Sequence, residues 1–350
     1  MTQKSTAETY MQRCLDLAIT GLGKTAPNPM VGAVIVHNDQ IIGEGYHKAF
    51  GGPHAEVNAV NAVRDKTLLK DSTLYVNLEP CSHTGKTPPC ADLIIRSGIP
   101  HVVGGMTDPN PVVAGSGYTK LRHAGVEVVT DILHQECVEM NRRFIMFHTR
   151  RRPYVILKWA QTSDCFIDVV RGQKEYPQPT WISNEISRML VHKWRSEEQS
   201  ILVGTNTAMM DNPRLNVREW PGRSPLRMVI DKTLKLPETL NLFDNSYPTV
   251  VFNSLRDEQA GNTRYAKVTF DDNFLENMLR WLYESGIQSV LVEGGKILIN
   301  SLIRKSLWDE ARVFKGNKLF GQGVTAPSIP LSSPEEYLIR EDLLMIYRNG

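Results

Sequence analysis

Between Tyr10 and Leu22 the apolar side chains Met11, Leu15, Ala18, Ile19 and Leu22 recur at helical spacing, which predicts a helix with one buried face. Val31 to Val36 is instead a run of β-formers, and Ile41 to Tyr46 reads as its hairpin partner across Asn38-Asp39. Helix and strand patterns then alternate. Helices are predicted at His54 to Val63, Ala91 to Ser97 and Gly117 to Ala124, and strands at Thr73 to Leu78, His101 to Gly104 and Val126 to Val129. A further helix runs from Leu133 to His148 and ends at Arg150-Arg151-Arg152-Pro153, because proline cannot continue a helix and a run of charges suits an exposed junction. A second series starts at Tyr154 to Lys158. It has strands at Ser200 to Val203, Leu226 to Ile230, Thr249 to Phe252 and Ser289 to Val292, with helices at Asn184 to Ser196, Phe274 to Ser285 and Ile297 to Ile303. Such alternation predicts layered α/β sheets.

A chain of 350 residues fits two domains, and the proline-terminated helix puts them at residues 1–149 and 150–350. A net charge of +2 creates no general field for nucleic acid, so the arginine cluster reads as a solvated helix end and linker. No apolar run approaches the roughly 20 residues that span a bilayer, and Met1 to Glu8 is polar, without a signal-peptide core. Tyr176-Pro177-Gln178-Pro179 reads as a loop. The five cysteines are odd in number and lack framework spacing, which argues for a reducing compartment where thiolates can hold metal. These features together predict a soluble cytoplasmic protein with neither a nucleic-acid nor a membrane partner.

His54-Ala55-Glu56, then Cys81 after Glu79-Pro80, then Cys90, supply three metal ligands and one carboxylate that is not a ligand. Structural zinc usually closes its shell with four protein ligands, whereas catalytic zinc keeps a position for water. One histidine, two cysteines and a glutamate two residues from the histidine is how zinc deaminases of nucleobases are built. His54, Cys81 and Cys90 are therefore the predicted Zn2+ ligands, and Glu56 the catalytic proton carrier. Cys90 is expected at a helix start, where thiolate is favoured. Cys14 and Cys137 read as core thiols, and His83 as a loop residue near the site. A nucleoside or tRNA deaminase fused to another domain, and a closed zinc scaffold, are the rival readings.

Eight residues separate Cys81 from Cys90, where C-x-x-C is the usual deaminase spacing, and the insert carries Lys86-Thr87. With Ala26-Pro27-Asn28-Pro29-Met30-Val31-Gly32 and Asp108-Pro109-Asn110-Pro111, this resembles the deaminase half of the bifunctional riboflavin-biosynthesis family. No G-x-G-x-x-G follows a strand in the second half. Instead Leu157-Lys158 through Asp164, Thr180-Trp181-Ile182-Ser183, Val203 to Thr207, Asp211 to Leu215 and Val292-Glu293-Gly294-Gly295 resemble the same family's reductase half.

The resemblance implies a cytidine-deaminase-like three-layer α/β domain followed by a dihydrofolate-reductase-like α/β domain. It implies hydrolytic deamination of 2,5-diamino-6-ribosylamino-4(3H)-pyrimidinone 5′-phosphate, a small phosphorylated pyrimidine. NADPH-dependent reduction of the ribosyl group to ribityl follows. Asn28, His47, Lys86, Thr87, Asp108 and Asn110 would hold the deaminase substrate. Ala160, Trp181, Thr207, Asp211 and Gly295 would line the NADPH site, and Arg195, Leu215, Arg218 and Glu293 would contact the reductase substrate. Assembly as a homo-oligomer is expected. Lys158 and Asp164 are candidates for polarisation or proton delivery. Two positions depart from the family: Cys165 stands where glycine is usual, so a different local turn is expected, and Lys232 stands where serine is frequent, beside a cofactor phosphate or facing solvent.

Overall fold

Ser5 starts the first helix earlier than periodicity alone suggests. Its hydroxyl accepts the Glu8 N–H while the Glu8 carboxylate accepts the Ser5 N–H at 2.7 Å, a reciprocal capping box that opens α1 (Thr6–Ala18). The computed structural model describes residues 5–83, 88–110, 114–170, 180–330 and 333–349. Lys86, Thr87 and the Tyr176-Pro177-Gln178-Pro179 stretch lie outside the described residues. The chain divides into two units, Met1–Arg151 and Arg152–Gly350.

In the first unit the predicted hairpin forms from β1 (Gly32–His37) and β2 (Gln40–Tyr46), with Asn38 and Asp39 at φ 48° and 58°, as a two-residue turn between twisted strands requires. There follow α2 (Ala55–Ala62), β3 (Thr73–Val76), α3 (Cys90–Ser97), β4 (His101–Gly104), α4 (Ser116–His123) and β5 (Glu127–Val129). The five strands order as β2-β1-β3-β4-β5, with β3, β4 and β5 parallel. Alternate residues of β1 serve opposite faces. Ala33 and Ile35 pack with Ala59, Ile94 and Leu121 of α2, α3 and α4, while Val34 and Val36 pack with Met11, Cys14, Leu15 and Cys137. Both faces are thus covered, giving three layers, and Cys14 and Cys137 are the buried core thiols the sequence implied. Helix α2 lies tight on β2 because Gly45 has no side chain: a Cβ there would come within 2.3 Å of the Ala59 nitrogen.

The single helix expected from Leu133 to His148 is broken into α5 (His134–Met140) and α6 (Arg142–Arg150). Asn141 between them leaves helical geometry (φ −102°, ψ 18°). Its buried amide accepts the Met30 N–H at 2.8 Å and donates to the Met30 carbonyl at 3.0 Å. A contact 111 residues away in sequence overrides local periodicity here.

The second unit contains β6 (Tyr154–Gln161), β7 (Phe166–Asp168), α7 (Glu185–Glu197), β8 (Ser200–Val203), α8 (Thr205–Asp211), β9 (Leu226–Ile230), β10 (Thr249–Asn253), β11 (Glu258–Ala260) and β12 (Thr263–Lys267). Then come α9 (Phe274–Glu284), β13 (Ser289–Val292), α10 (Lys296–Arg304), β14 (Glu310–Lys315), β15 (Val324–Thr325), β16 (Glu335–Ile339) and β17 (Asp342–Arg348). Ten strands order as β11-β12-β10-β9-β8-β13-β6-β14-β17-β16. The run from β12 to β14 is parallel, and β11, β17 and β16 add antiparallel edges. Val155, Leu157, Val290 and Val292 bury one face against α9 and α10, and Ile201, Val203, Val229 and Val251 bury the other. Parallel strands covered on both faces explain the continuous apolar runs in the sequence. Arg152 is not a freely solvated linker charge: it grips Asp309 with two bonds of 2.6 and 2.7 Å.

Cys165 sits in the turn after β6. It adopts the left-handed backbone itself, φ 66°, and its N–H reaches the Thr162 carbonyl at 3.0 Å. A side chain there carries strain that glycine lacks, offset in part by glycine's greater unfolded-state freedom. Cys165→Gly is expected to stabilise the protein by about 0.5 to 1 kcal/mol, raising the melting temperature by roughly 2 °C in thermal unfolding. A lower melting temperature would show that the turn is not strained.

Candidate active sites

In the first unit two helix N-termini deliver the predicted ligands. His54 is the N-cap of α2, with extended backbone, and Cys90 is the first residue of α3. Cys81 sits on the segment that leaves β3, and the Cys90 N–H donates to its sulfur at 3.3 Å. His54 Nδ1 lies 3.6 Å from the Cys81 sulfur and 3.3 Å from the Cys90 sulfur. A tetrahedral zinc with ordinary bond lengths sets N–S edges of about 3.6 Å. The three donor atoms, all within 4.8 Å of one another, therefore fit that ion. Among the described residues no fourth histidine, cysteine or carboxylate joins the cluster, and exposed His83 stays outside it.

The electrostatics suit a cation. Cys81 is held below the usual thiol range, chiefly by the hydrogen bond with Cys90, then by His54, while Cys90 is raised by the bond to Cys81 and by burial. The cluster thus presents thiolate, the form that binds metal, beside two helix N-termini. Glu56, one residue inside α2, is 3% exposed. Burial, then the Cys81 charge, pushes its pKa up to about 7.

Around this cluster, His47 is buried and kept neutral by that burial. Its Nδ1 faces the Pro53 carbonyl at 3.0 Å, so Nδ1 carries the proton and Nε2 accepts from the Asn28 amide at 3.1 Å. The His47 and His54 rings meet edge to face at 5.6 Å. Asp108 accepts the Asn110 N–H at 2.8 Å, and its pKa is pushed up to about 6, mainly by burial.

In the second unit a cavity of about 1370 Å³ opens at the carboxyl ends of β6, β8, β9 and β13, where open α/β sheets bind ligands. It exceeds the usual size for one small ligand, leaving room for a dinucleotide with a substrate. Ala160, Trp181, Thr207, Asp211 and Gly295 all line it, as do Arg195, Leu215, Arg218 and Glu293. Gly294 and Gly295, at φ 136° and 88°, turn the chain from β13 into α10, and a Cβ on Gly294 would press the Thr207 side chain at 3.2 Å. The Arg188 guanidinium stacks on Trp181 at 4.9 Å.

The cavity floor is charged. Glu293 binds Arg195 through two bonds of 2.6 and 2.8 Å and lies 3.7 Å from Lys158. Burial alone would raise the Glu293 pKa, but Arg195 and Lys158 overcome it and hold it at about 2. Lys158 is lowered by the same burial, because its carboxylate partner is more distant. Lys158 lines the cavity. Asp164 does not: its carboxylate accepts the Phe320 and Gly321 N–H groups at 3.1 and 2.8 Å and the Thr162 hydroxyl at 2.5 Å, which gives it a structural task. Lys232 is exposed, its ammonium 5.8 Å from the Phe270 ring.

His192 escaped the sequence reading. It is 3% exposed, lines the cavity, and accepts the Arg218 N–H on Nδ1 at 3.3 Å. Burial, then Arg195 and Arg218, lowers its pKa to about 4 and keeps it neutral. Arg188, His192 and Arg195 share one face of α7 at helical spacing, a polar stripe the sequence did display.

Both units have counterparts among known proteins. Residues 153–338 match the RibD C-terminal domain, and residues 4–106 match the cytidine and deoxycytidylate deaminase zinc-binding region. Riboflavin biosynthesis protein RibD of Aquifex aeolicus is 38% identical over 353 residues, covering 97% of each chain. The chain belongs to the RibD family. The RibD of Bacillus amyloliquefaciens is 40% identical over 92% of this chain and 87% of its own. A crystal structure of a diaminohydroxyphosphoribosylaminopyrimidine deaminase/5-amino-6-(5-phosphoribosylamino)uracil reductase from Thermotoga maritima superposes with a TM-score of 0.87 at 38% identity, covering 99% of both chains. As a RibD-family member the protein is a bifunctional deaminase and reductase of riboflavin biosynthesis, with zinc in the first unit and NADPH in the second. Among the described residues no helix is long and apolar enough to cross a membrane.

Proposed function

We propose that the first unit removes the ring amine of 2,5-diamino-6-ribosylamino-4(3H)-pyrimidinone 5′-phosphate by hydrolysis, and that the second reduces the ribosyl group of the product to ribityl. The observation that carries this reading is the three-donor cluster with one buried carboxylate, Glu56, beside it and no fourth ligand among the described residues. His54, Cys81 and Cys90 would hold zinc, which when bound would supply a water acidic enough to act as nucleophile at neutral pH. Glu56, buried beside the three donors, is placed to hold a proton on its carboxylate and to deliver it to the ring nitrogen and the departing amine. Asn28, His47, Asp108 and Asn110, with Lys86 and Thr87, hold the substrate.

NADPH supplies the hydride for the second step. Ala160, Trp181, Thr207, Asp211 and Gly295 seat it in the cavity, with the glycine pair and the α10 N-terminus offering backbone N–H groups to its phosphates. Arg195 and Arg218, with Leu215 and Glu293, line the same cavity and would hold the substrate there. Lys158 lines the same cavity, and its burial weakens its hold on a proton, which suits proton delivery as the ribose ring opens. We place the enzyme in the cytoplasm, a reading supported by its cysteine pattern, and as a homo-oligomer, supported by exposed Tyr337 and Leu338 on edge strand β16.

The test is one coupled assay that follows ammonia release and NADPH oxidation on the aminopyrimidine phosphate. Stripping the metal with a chelator should abolish ammonia release, while NADPH is still oxidised on the deaminated intermediate. Ammonia from cytidine or adenosine-containing RNA, with none from the aminopyrimidine, would overturn the substrate assignment.

A further inference from the structure

Glu79 has no role in the chemistry above, yet its surroundings are unusually specific. The residue is 6% exposed, and its carboxylate has no cation against it among the bonds of the described residues. It accepts main-chain N–H groups instead. Oε2 takes those of Asp108 and Gly115 at 3.0 and 2.9 Å, and Oε1 takes those of Gly117 and Tyr118 at 2.7 and 3.4 Å. The Glu79 N–H in turn donates to the Met106 carbonyl at 2.9 Å. One side chain therefore ties the segment carrying Asp108 and the start of α4 to the strand exit that carries Cys81.

Two further contacts fix this junction. A Cβ on Gly117 would come within 2.0 Å of the Pro80 carbonyl oxygen, so the α4 start rests directly on the residue before Cys81. The Ser82 and Ser116 hydroxyls meet at 2.6 Å just beyond it. A carboxylate accepting several backbone N–H bonds is geometrically demanding: both oxygens are needed, and an amide would aim its own N–H groups at two of the donors. Asp108 and Asn110 inherit their position from this arrangement, because the Asp108 N–H is bound by Glu79 and the Asn110 N–H by Asp108.

We propose that Glu79 is a positioning residue of the deaminase site, setting the placement of Asp108 and Asn110 relative to the metal cluster and thereby the affinity for substrate. This inference rests on the reading that Asp108 contacts the substrate. It differs from a purely structural role, which would lower stability without acting through Asp108.

The experiment compares Glu79→Gln, Asp108→Asn and the double variant in the full-length zinc-loaded enzyme. Ammonia release is measured against aminopyrimidine phosphate concentration, with metal content and reductase activity taken on the same samples. Glu79→Gln should raise the deaminase KM by about 10-fold or more, with zinc content and reductase activity unchanged. Adding it to Asp108→Asn should raise KM little further, because both act through one group. If the two effects multiply, or if Glu79→Gln leaves KM unaltered while Asp108→Asn raises it, the Glu79 inference is overturned. If Asp108→Asn itself leaves KM unaltered, the substrate-contact reading fails first. Should Glu79→Gln not be recovered folded, Glu79→Asp replaces it. That variant keeps both oxygens but draws them back by one methylene, and the same KM increase is expected with zinc retained. An unchanged KM there also counts against the proposal.

Discussion

Replacing Glu56 with glutamine should leave zinc bound and cut ammonia release by roughly 10² to 10⁴-fold, the usual worth of a positioned acid–base group. The amide fills the same space at the start of α2 but cannot accept and return a proton. His54, Cys81 and Cys90 are untouched, so metal analysis should return the wild-type content. The buried site disfavours the glutamate's charge, so a neutral side chain is accommodated without loss of fold. NADPH oxidation on the deaminated intermediate should continue at the wild-type rate, since the described residues that line that cavity all belong to the second unit. Near-wild-type ammonia release from this variant would remove Glu56 as proton carrier.

The second large effect is expected at Glu293. Glutamine there leaves the buried charges of Arg195 and Lys158 without their counter-ion. Breaking a buried ion pair from one side costs about 3 to 5 kcal/mol, which lowers the melting temperature of the reductase unit by roughly 10 °C. Hydride transfer should be lost with it, because Arg195 and Glu293 both line the cavity. The pH dependence has a definite sign. The Glu293 pKa falls from 4.5 in the unfolded chain to about 2 when folded, so its stabilising effect is complete above about pH 4.5 and fades as pH drops toward 2. Wild type and Glu293→Gln should therefore differ most near neutrality and converge in acid when unfolding is followed against pH. Equal melting at pH 7 would show that this carboxylate does not hold the two cations.

Much of the first unit is legible because local signals and tertiary needs agree. The Asn38-Asp39 hairpin follows from neighbours within a few residues, and His54, Cys81 and Cys90 are each marked by the short motif around them. The helix break at Asn141 could not be read that way, since the group that stops the helix is Met30. In the second unit the β-rich buried strands announce themselves, but β14 does not. Glu310 and Arg312 give Glu310–Lys315 the look of a surface segment, yet both are buried, bonded to each other at 2.5 Å, with Arg312 stacked 4.6 Å from Trp194. A buried polar face has no pattern in the chain that separates it from a solvated one. The same limit hid Glu79: its four partners are backbone groups 29 to 39 positions away, and main-chain donors leave no compositional trace.

The bond between Asn141 and Met30 also bears on how the chain is made. Translation delivers the hairpin and all the metal ligands well before residue 141 emerges, so these elements wait with the Met30 N–H still hydrated, while the Met30 carbonyl already has the Asn77 amide within 3.1 Å. The first unit can close only when its final pair of helices has left the ribosome, by which time the opening strand of the second is already following it out.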